Sequence, residues 1–480
     1  MKRISALLLS ALMVFGLTGC SRDNSATADP PEYTSTEKFE IGMWVGISDK
    51  LVTYDEDGQK VSERMLTDAE FLEKYQEIAD AGFTIAFPGY DVMINGGDYN
   101  LKALEAASEV GIKQIISDSA LSNLMMQAET LVKSEVYTRD EIVEQTRDIL
   151  APYLESEYAD ALYGFMIDDE PGAALFSALE YGRSIFEEAA PDLMFYVNLF
   201  PIIAGGAQLS GTTQAITYDD YLSNYFGTVK TDYISYDHYP LYGSGDGSTS
   251  IEPTFLYNMD LIRTKIDEEG AGREFWTFIQ SIEFGAKNRA LTSKADATFQ
   301  AYSFMAFGGD CIQWFCYACP PENDGATYFG NNALIDRNYE KTATYDYVSG
   351  ANKDVQSFMP YYKNFEWKGF TLSEVYDDTD NFEYLANSKN LVTGGALSSF
   401  TSTEDAFAGV FEDKDGNPGY FAVNFTDPAL NKNNEITMTF GEGYENVLIV
   451  KPEGNTALRL DGGSVTFTLG TGEAAFVIPY

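Results

Sequence analysis

Leu162-Tyr-Gly-Phe-Met-Ile-Asp-Asp-Glu-Pro171 is a short apolar run closed by three consecutive carboxylates and a proline. Such a run fits a strand buried on both faces, as in a parallel sheet covered by helices. Asp168, Asp169 and Glu170 then lie at the strand's C-terminal mouth, where α/β folds assemble their chemistry. Neighbouring acids repel one another, so folding alone gives no reason to gather them there. The stretch reads as the floor of an active site.

Outward from this strand the chain alternates. Apolar runs at Phe39–Ile47, Phe83–Phe87 and Ile112–Ile116 precede it, and Met194–Leu199, Tyr233–Tyr236, Phe275–Ile279 and Cys311–Tyr317 follow. Helical patterns lie between them, two opened by the capping boxes Thr67/Glu70 and Thr138/Glu141. Repeats of strand and helix, eight in number over about 330 residues, predict an α/β fold of the (β/α)8 barrel kind across residues 38–370. Loops 201–217, 241–252 and 318–340 each follow a strand and so share a rim with Glu170. No glycine-rich phosphate loop follows any strand, and no cofactor is expected. From residue 385 the pattern turns to short alternating strands, predicting a C-terminal antiparallel β-sandwich over 385–480. Its Asp413-x-Asp415-Gly416-Asn417 reads as a hairpin turn, since no Glu closes a calcium loop.

A net charge of −43, from 31 basic and 74 acidic residues, argues against nucleic acid as a partner and suits a neutral ligand. Lys2 and Arg3, the apolar run Ile4–Leu17 and Leu17-Thr18-Gly19-Cys20 resemble a bacterial lipoprotein signal. That predicts a signal peptide over 1–20, cleavage before Cys20, lipid on its thiol, and a flexible tether over 21–37. The expected place is outside the cytoplasm, held to a membrane by this anchor only. Cys311, Cys316 and Cys319 share one predicted strand and its exit, which fits buried small hydrophobes better than a metal site or a disulfide framework.

The candidate chemistry centres on Glu170 as general acid/base. Asp169 or Asp168, kept ionised beside it, would raise its pKa; the alternative is an ordinary helix-capping acid. Asp237 and His238 follow the sixth strand, and His238 is the chain's only histidine. That excludes a multi-histidine metal site, and no Gly-x-Ser-x-Gly elbow accompanies it. His238 is then either a satisfied structural residue or a substrate hydrogen bond. Trp44, Tyr236, Tyr239, Trp314 and Tyr317 lie at or near strand ends, as core or as a sugar platform. Trp314 is the preferred platform, with Gln313 and Asn198 supplying amide hydrogen bonds.

These residues resemble the clan of retaining (β/α)8 glycoside hydrolases, particularly its β-galactosidase-like members. The resemblance rests on Asp169-Glu170-Pro171, Tyr233–Pro240, Phe275–Gln280, Gly308–Phe315 and Gly472–Ile478, and spans most of residues 39–480. In that clan strand four ends in Asn-Glu, the Glu being acid/base, and strand seven ends in a Glu nucleophile. The resemblance implies an enzyme cleaving oligo- or polysaccharide glycosidic bonds, with substrate contacts from the strand ends, Gln280 included. Two departures stand out. Asp169 replaces the Asn, and strand seven ends in Gln280, with Glu283 the nearest acid. Glu283 is either the nucleophile, with carboxyls roughly 5–5.5 Å apart, or a solvated loop acid. In the second case a separation of roughly 6.5–9.5 Å implies inversion with Asp237 or Asp168 as base. A non-catalytic carbohydrate-binding surface lipoprotein on a degenerate barrel is the alternative function. A solute receptor, needing two α/β lobes, is disfavoured by the β-rich tail.

Overall fold

The computed structural model describes residues 25–55, 60–89, 97–269, 272–320, 329–373 and 380–480. Eight parallel strands close into a barrel: β1 (Glu40–Trp44), β2 (Ile85–Ala86), β3 (Lys113–Ile116), β4 (Leu162–Asp169), β5 (Met194–Leu199), β6 (Tyr233–Asp237), β7 (Glu274–Gln280) and β8 (Cys311–Phe315). Each pairs with its sequence neighbours, and β1 closes the ring on β8 with Glu40 opposite Cys311 and Trp44 opposite Phe315. This is the (β/α)8 architecture, its strands buried because helices cover them on the outside.

The helices start where their caps place them. Thr67 and Glu70 form a reciprocal box before Asp68–Asp80, and Thr138 and Glu141 do so before Arg139–Leu154. Inside the barrel large rings interdigitate. Tyr196 stacks on Tyr233 at 5.8 Å, and Trp276 lies 5.3 Å from Tyr233.

The sandwich begins earlier than expected. Phe365–Leu372, inside the predicted barrel range 38–370, pairs antiparallel with Ala406–Asp413 and edges a six-stranded sheet. A three-stranded sheet of Leu397–Ser402, Asn434–Phe440 and Ser464–Leu469 faces it. The helix Lys294–Ala306, between β7 and β8, is enclosed by barrel and sandwich together. Phe299 stacks on Phe425 at 5.1 Å, and a Cβ on Gly409 would stand 2.1 Å from the Ala306 carbonyl oxygen. Backbone therefore meets backbone at this joint.

Residues 25–37 are not a free tether. Ser25 bridges Leu458, and Thr27 N donates to Asn446 Oδ1 at 2.8 Å. The Tyr33 ring lies 5.0 Å from Phe365 while its hydroxyl donates to Asp413 Oδ2 at 2.8 Å. A polar stretch with one well-placed tyrosine gains enough contact to lie along the sandwich. Asp413 also accepts from the Asp415 and Asn417 backbone amides, closing the hairpin turn. Cys20 and the rest of the predicted signal lie outside the described residues. No described helix is long and apolar enough to cross a membrane.

Candidate active site

Strand β4 breaks the alternation of its side chains. Met166 pairs with Tyr196, but the next partners are Asp168 with Val197 and Asp169 with Asn198, so Ile167 is an extra residue, a bulge. Bulges re-aim side chains near functional sites. Here the bulge sends Asp168 to the outer side with Val197 and turns Asp169 inward with Asn198. Glu170 follows with φ 54°, in the left-handed region that a non-glycine residue occupies at a cost. Its amide donates to the Asn198 carbonyl oxygen at 2.8 Å. This turn lets two consecutive acids face the same hollow.

That hollow, of about 260 Å³, is lined by Trp44, Asp169, Glu170, Asn198, Asp237, Tyr239, Phe278, Phe284, Phe315 and Phe329. Its acids all come from β4 and β6, with the Asn198 amide of β5 between them. Asn198 Nδ2 donates to Asp169 Oδ1 at 3.2 Å and to Asp237 Oδ1 at 3.3 Å. The Asp237 carboxyl hydrogen-bonds that of Glu170. Beneath them a polar ladder crosses the barrel. Ser235 Oγ donates to Asn198 Oδ1 at 2.9 Å, Gln313 Nε2 donates to Ser235 Oγ at 2.9 Å, and the Tyr196 hydroxyl donates to Gln313 Oε1 at 2.7 Å. The ladder fixes the Asn198 amide so that its NH2 points at the acids.

The other half of the hollow is aromatic. Trp44 meets Phe278 edge-to-face at 5.3 Å, Tyr239 packs against Phe284 at 5.1 Å and Phe315 at 5.4 Å, and Phe329 lies 6.1 Å from Phe315. Burial beside these rings shapes the titration of the acids. Burial first, and then the Asp169 charge, raises Glu170 to about 7 against the opposing hydrogen bond from Asp237. Burial raises Asp169 to about 6, the Asn198 hydrogen bond holding it back. Asp237 is pushed well above the usual carboxylate range by burial, then by the charges of Glu170 and Asp169. The Glu170–Asp237 pair therefore keeps a proton near neutral pH, while Asp169 faces the hollow as an anion above about pH 6.

Several expected contacts lie elsewhere. Side chains alternate across a strand, so with Gln313 pointing into the barrel its neighbour Trp314 must point out. Trp314 is buried between barrel and helix, donating Nε1 to Asn352 Oδ1 at 2.9 Å, and is no sugar platform. Gln313 lies below the hollow as part of the ladder. The same alternation turns Tyr236 outward onto Phe275 at 5.8 Å. His238 is fully buried, with Nε2 2.9 Å from Glu252 Oε2 and Nδ1 3.1 Å from Asn258 Oδ1, and takes the structural role. Gln280 holds the following loop, donating to the Ile282 and Arg289 carbonyl oxygens at 3.3 and 2.6 Å. Glu283 does not line the hollow either; its carboxylate accepts from Asn332 Nδ2 at 3.3 Å, and its neighbour Phe284 faces in instead. Asp168 is turned away by the bulge and accepts from the Asp169 amide at 3.0 Å.

Phe278, Phe284, Phe315 and Phe329 escaped the sequence reading. For Phe278 and Phe315 a signal existed, because they share parity with the inward-facing Trp276 and Gln313. Among the described residues no His, Cys, Asp and Glu group has the arrangement to hold a metal ion. A larger hollow, of about 440 Å³, opens at the N-terminal ends of β3 to β6, the end of this fold that serves stability.

No family model matches the chain, and no curated protein matches it. Among solved structures it is similar to an α-amylase from Anoxybacillus at 12% identity and TM-score 0.47, covering 92% of this chain and 97% of that one. It is also similar to a β-galactosidase from Marinomonas ef1 at 10% identity and TM-score 0.43, covering 73% and 66%. A family 1 β-glucosidase from Thermotoga maritima matches at 12% identity and TM-score 0.34, covering 57% and 85%.

Proposed function

We propose that this protein is a glycoside hydrolase in which Glu170 is the general acid. The observation that carries the reading is the paired Glu170 and Asp237 carboxyls, with Asp169 beside them, opening onto a hollow whose opposite side is aromatic. A sugar has that polarity itself, with hydroxyls round its edge and C–H bonds on its faces. Set against the rings, its polar edge meets Asp169, Asn198 and Asp237, and its glycosidic oxygen meets Glu170. The C1–O bond breaks as the Glu170 proton passes to the leaving oxygen. Asp169, ionised, faces the positive charge that develops at C1. Water then adds to C1 and returns a proton to Glu170, which regenerates the site.

The resemblance of residues 1–20 to a lipoprotein signal supports a further part of this reading, that the protein is held outside the cytoplasm by lipid at Cys20. The test is turnover of an activated aryl glycoside panel by the wild type and by Glu170→Gln. Turnover by the wild type, reduced at least about 100-fold in the variant with folding intact, supports the reading. Equal turnover removes Glu170 from the chemistry. A second reading, a non-catalytic glycan-binding protein, is favoured by Glu283 lying outside the hollow on Asn332. Glycan binding with no hydrolysis across the panel selects it.

A further inference from the structure

We propose that the hollow accepts an uncharged sugar ring at the point of cleavage and excludes sugars that carry an acid group. This rests on the glycosidase reading and narrows its substrate class.

The hollow has three carboxyl groups, one amide and aromatic rings, and none of its lining residues is Lys, Arg or His. The sequence extends this to the rim. The segments after β3 (117–118), β4 (170–175) and β5 (200–217) contain no basic residue. The segment after β6 (238–254) contains only His238, which is buried on Glu252 and Asn258.

Cations elsewhere on the rim are engaged away from the hollow. Arg289 pairs with Asp296 at 2.6 Å and Asp427 at 3.4 Å. Lys287 lies over the Tyr242 ring, and Lys341 pairs with Glu77. Arg337 donates to the carbonyl oxygens of Pro320, Phe329 and Gly330. In the hairpin after β1, Arg64 pairs with Glu70 and Lys60 with Glu63, and Lys50 lines a separate small hollow beside Val45.

A uronate or sulfate seated here would meet the Asp169 anion with no counter-charge beside it, and two further carboxyl groups that cannot supply one. Recognition of a sugar acid calls for a guanidinium or ammonium, and none of the described residues lining the hollow supplies one. An unpaired like charge is a repulsive element, and such elements set specificity as firmly as attractive ones. The aromatic half adds the positive selection. Its Trp44, Tyr239 and Phe315 rings suit the C–H face of a ring that the acids then hold by its hydroxyl edge. A volume of about 260 Å³ lies below the roughly 300–1,000 Å³ of sites for drug-sized ligands, which fits one ring rather than several.

The experiment uses pairs of nitrophenyl glycosides differing only at C6, hydroxymethyl against carboxylate, in the gluco, galacto and manno configurations. Turnover is measured with the wild-type chain, and binding of each pair by calorimetry with Glu170→Gln. The expected result is at least one configuration whose neutral member exceeds its uronide by about 100-fold or more in kcat/KM and in affinity. A uronide that binds or turns over as well as its neutral partner overturns the proposal and leaves the hydrolase reading standing. A neutral member that binds Glu170→Gln selectively, with no turnover by the wild type, supports this proposal and removes hydrolysis. Binding by no member of any pair overturns both.

Discussion

Asp169 and Asp237 share one amide. The Asn198 Nδ2 hydrogens reach Asp169 Oδ1 at 3.2 Å and Asp237 Oδ1 at 3.3 Å, tying the end of β4 to the end of β6 through β5. The shared donor stabilises Asp169 as an anion next to an Asp237 that burial keeps protonated. Two like groups in one hollow thus carry different charge.

The pH dependence follows from this division. The proposed mechanism needs Asp169 ionised and Glu170 protonated, so activity is expected to rise through about 6 and fall through about 7. The expected kcat/KM profile is a narrow bell between these values. A flat profile across this interval contradicts the assignment of roles.

Replacing Asn198 by Ala removes the hydrogen bond that holds the Asp169 pKa down. The acid limb then moves to higher pH, and kcat falls by about 100-fold, the cost of losing one oriented donor. A kcat loss with an unmoved acid limb would mean that Asn198 acts on substrate alone.

Stability responds in the opposite sense at Glu170. Its carboxyl has an ordinary value of 4.5 and titrates at about 7 in the fold, so the folded chain binds the proton more tightly. The stability this gives is full below the ordinary value and is lost as pH rises through about 7. Glu170→Gln is therefore more stable than wild type by about 3 kcal/mol near pH 8, with little difference near pH 4. Denaturant titration at both pH values measures it.

The tryptophans separate binding from folding. Trp314→Phe leaves Asn352 Oδ1 without its indole donor and costs about 1–3 kcal/mol, with kcat and KM unchanged. Trp44→Leu, at the hollow, raises KM about tenfold with kcat nearly constant, as expected for a contact made equally in ground and transition states.

Gly409→Ala tests the joint between barrel and sandwich. Its new Cβ would stand 2.1 Å from the Ala306 carbonyl oxygen, where neither backbone can yield cheaply. A loss of about 3 kcal/mol in unfolding free energy is expected. A neutral effect would show that this joint is loose.

The barrel was legible because its signal is repeated. Each strand is a short apolar run, most helices have a stripe and often a cap, and Thr67/Glu70 and Thr138/Glu141 form the boxes their spacing predicts. The site was legible only where type and position agree, as at Glu170 and Asp237 on strand ends. Trp314 shows why the rest was not. It lies beside Gln313 in sequence, yet strand parity sends the two to opposite sides. Asp168 and Asp169 are a harder case, since the bulge at Ile167 decides between them and no residue type there announces it. Phe329 and Asn332 belong to a long loop whose path no local pattern encodes. Glu283 was drawn away by its contact with Asn332.

The helix Lys294–Ala306 joins β7 to β8, the strands that bring Phe278 and Phe315 to the hollow, and the sandwich is seated on its back. The two sides of the hollow are therefore supported unequally. Asp169 and Glu170 follow from β4, which has barrel helices behind it, whereas the rings of β7 and β8 lean on a second folded body. On the proposed reading, damage to the tail is felt first on the ring side of the hollow, and Asp169 and Glu170 on β4 are the last to feel it.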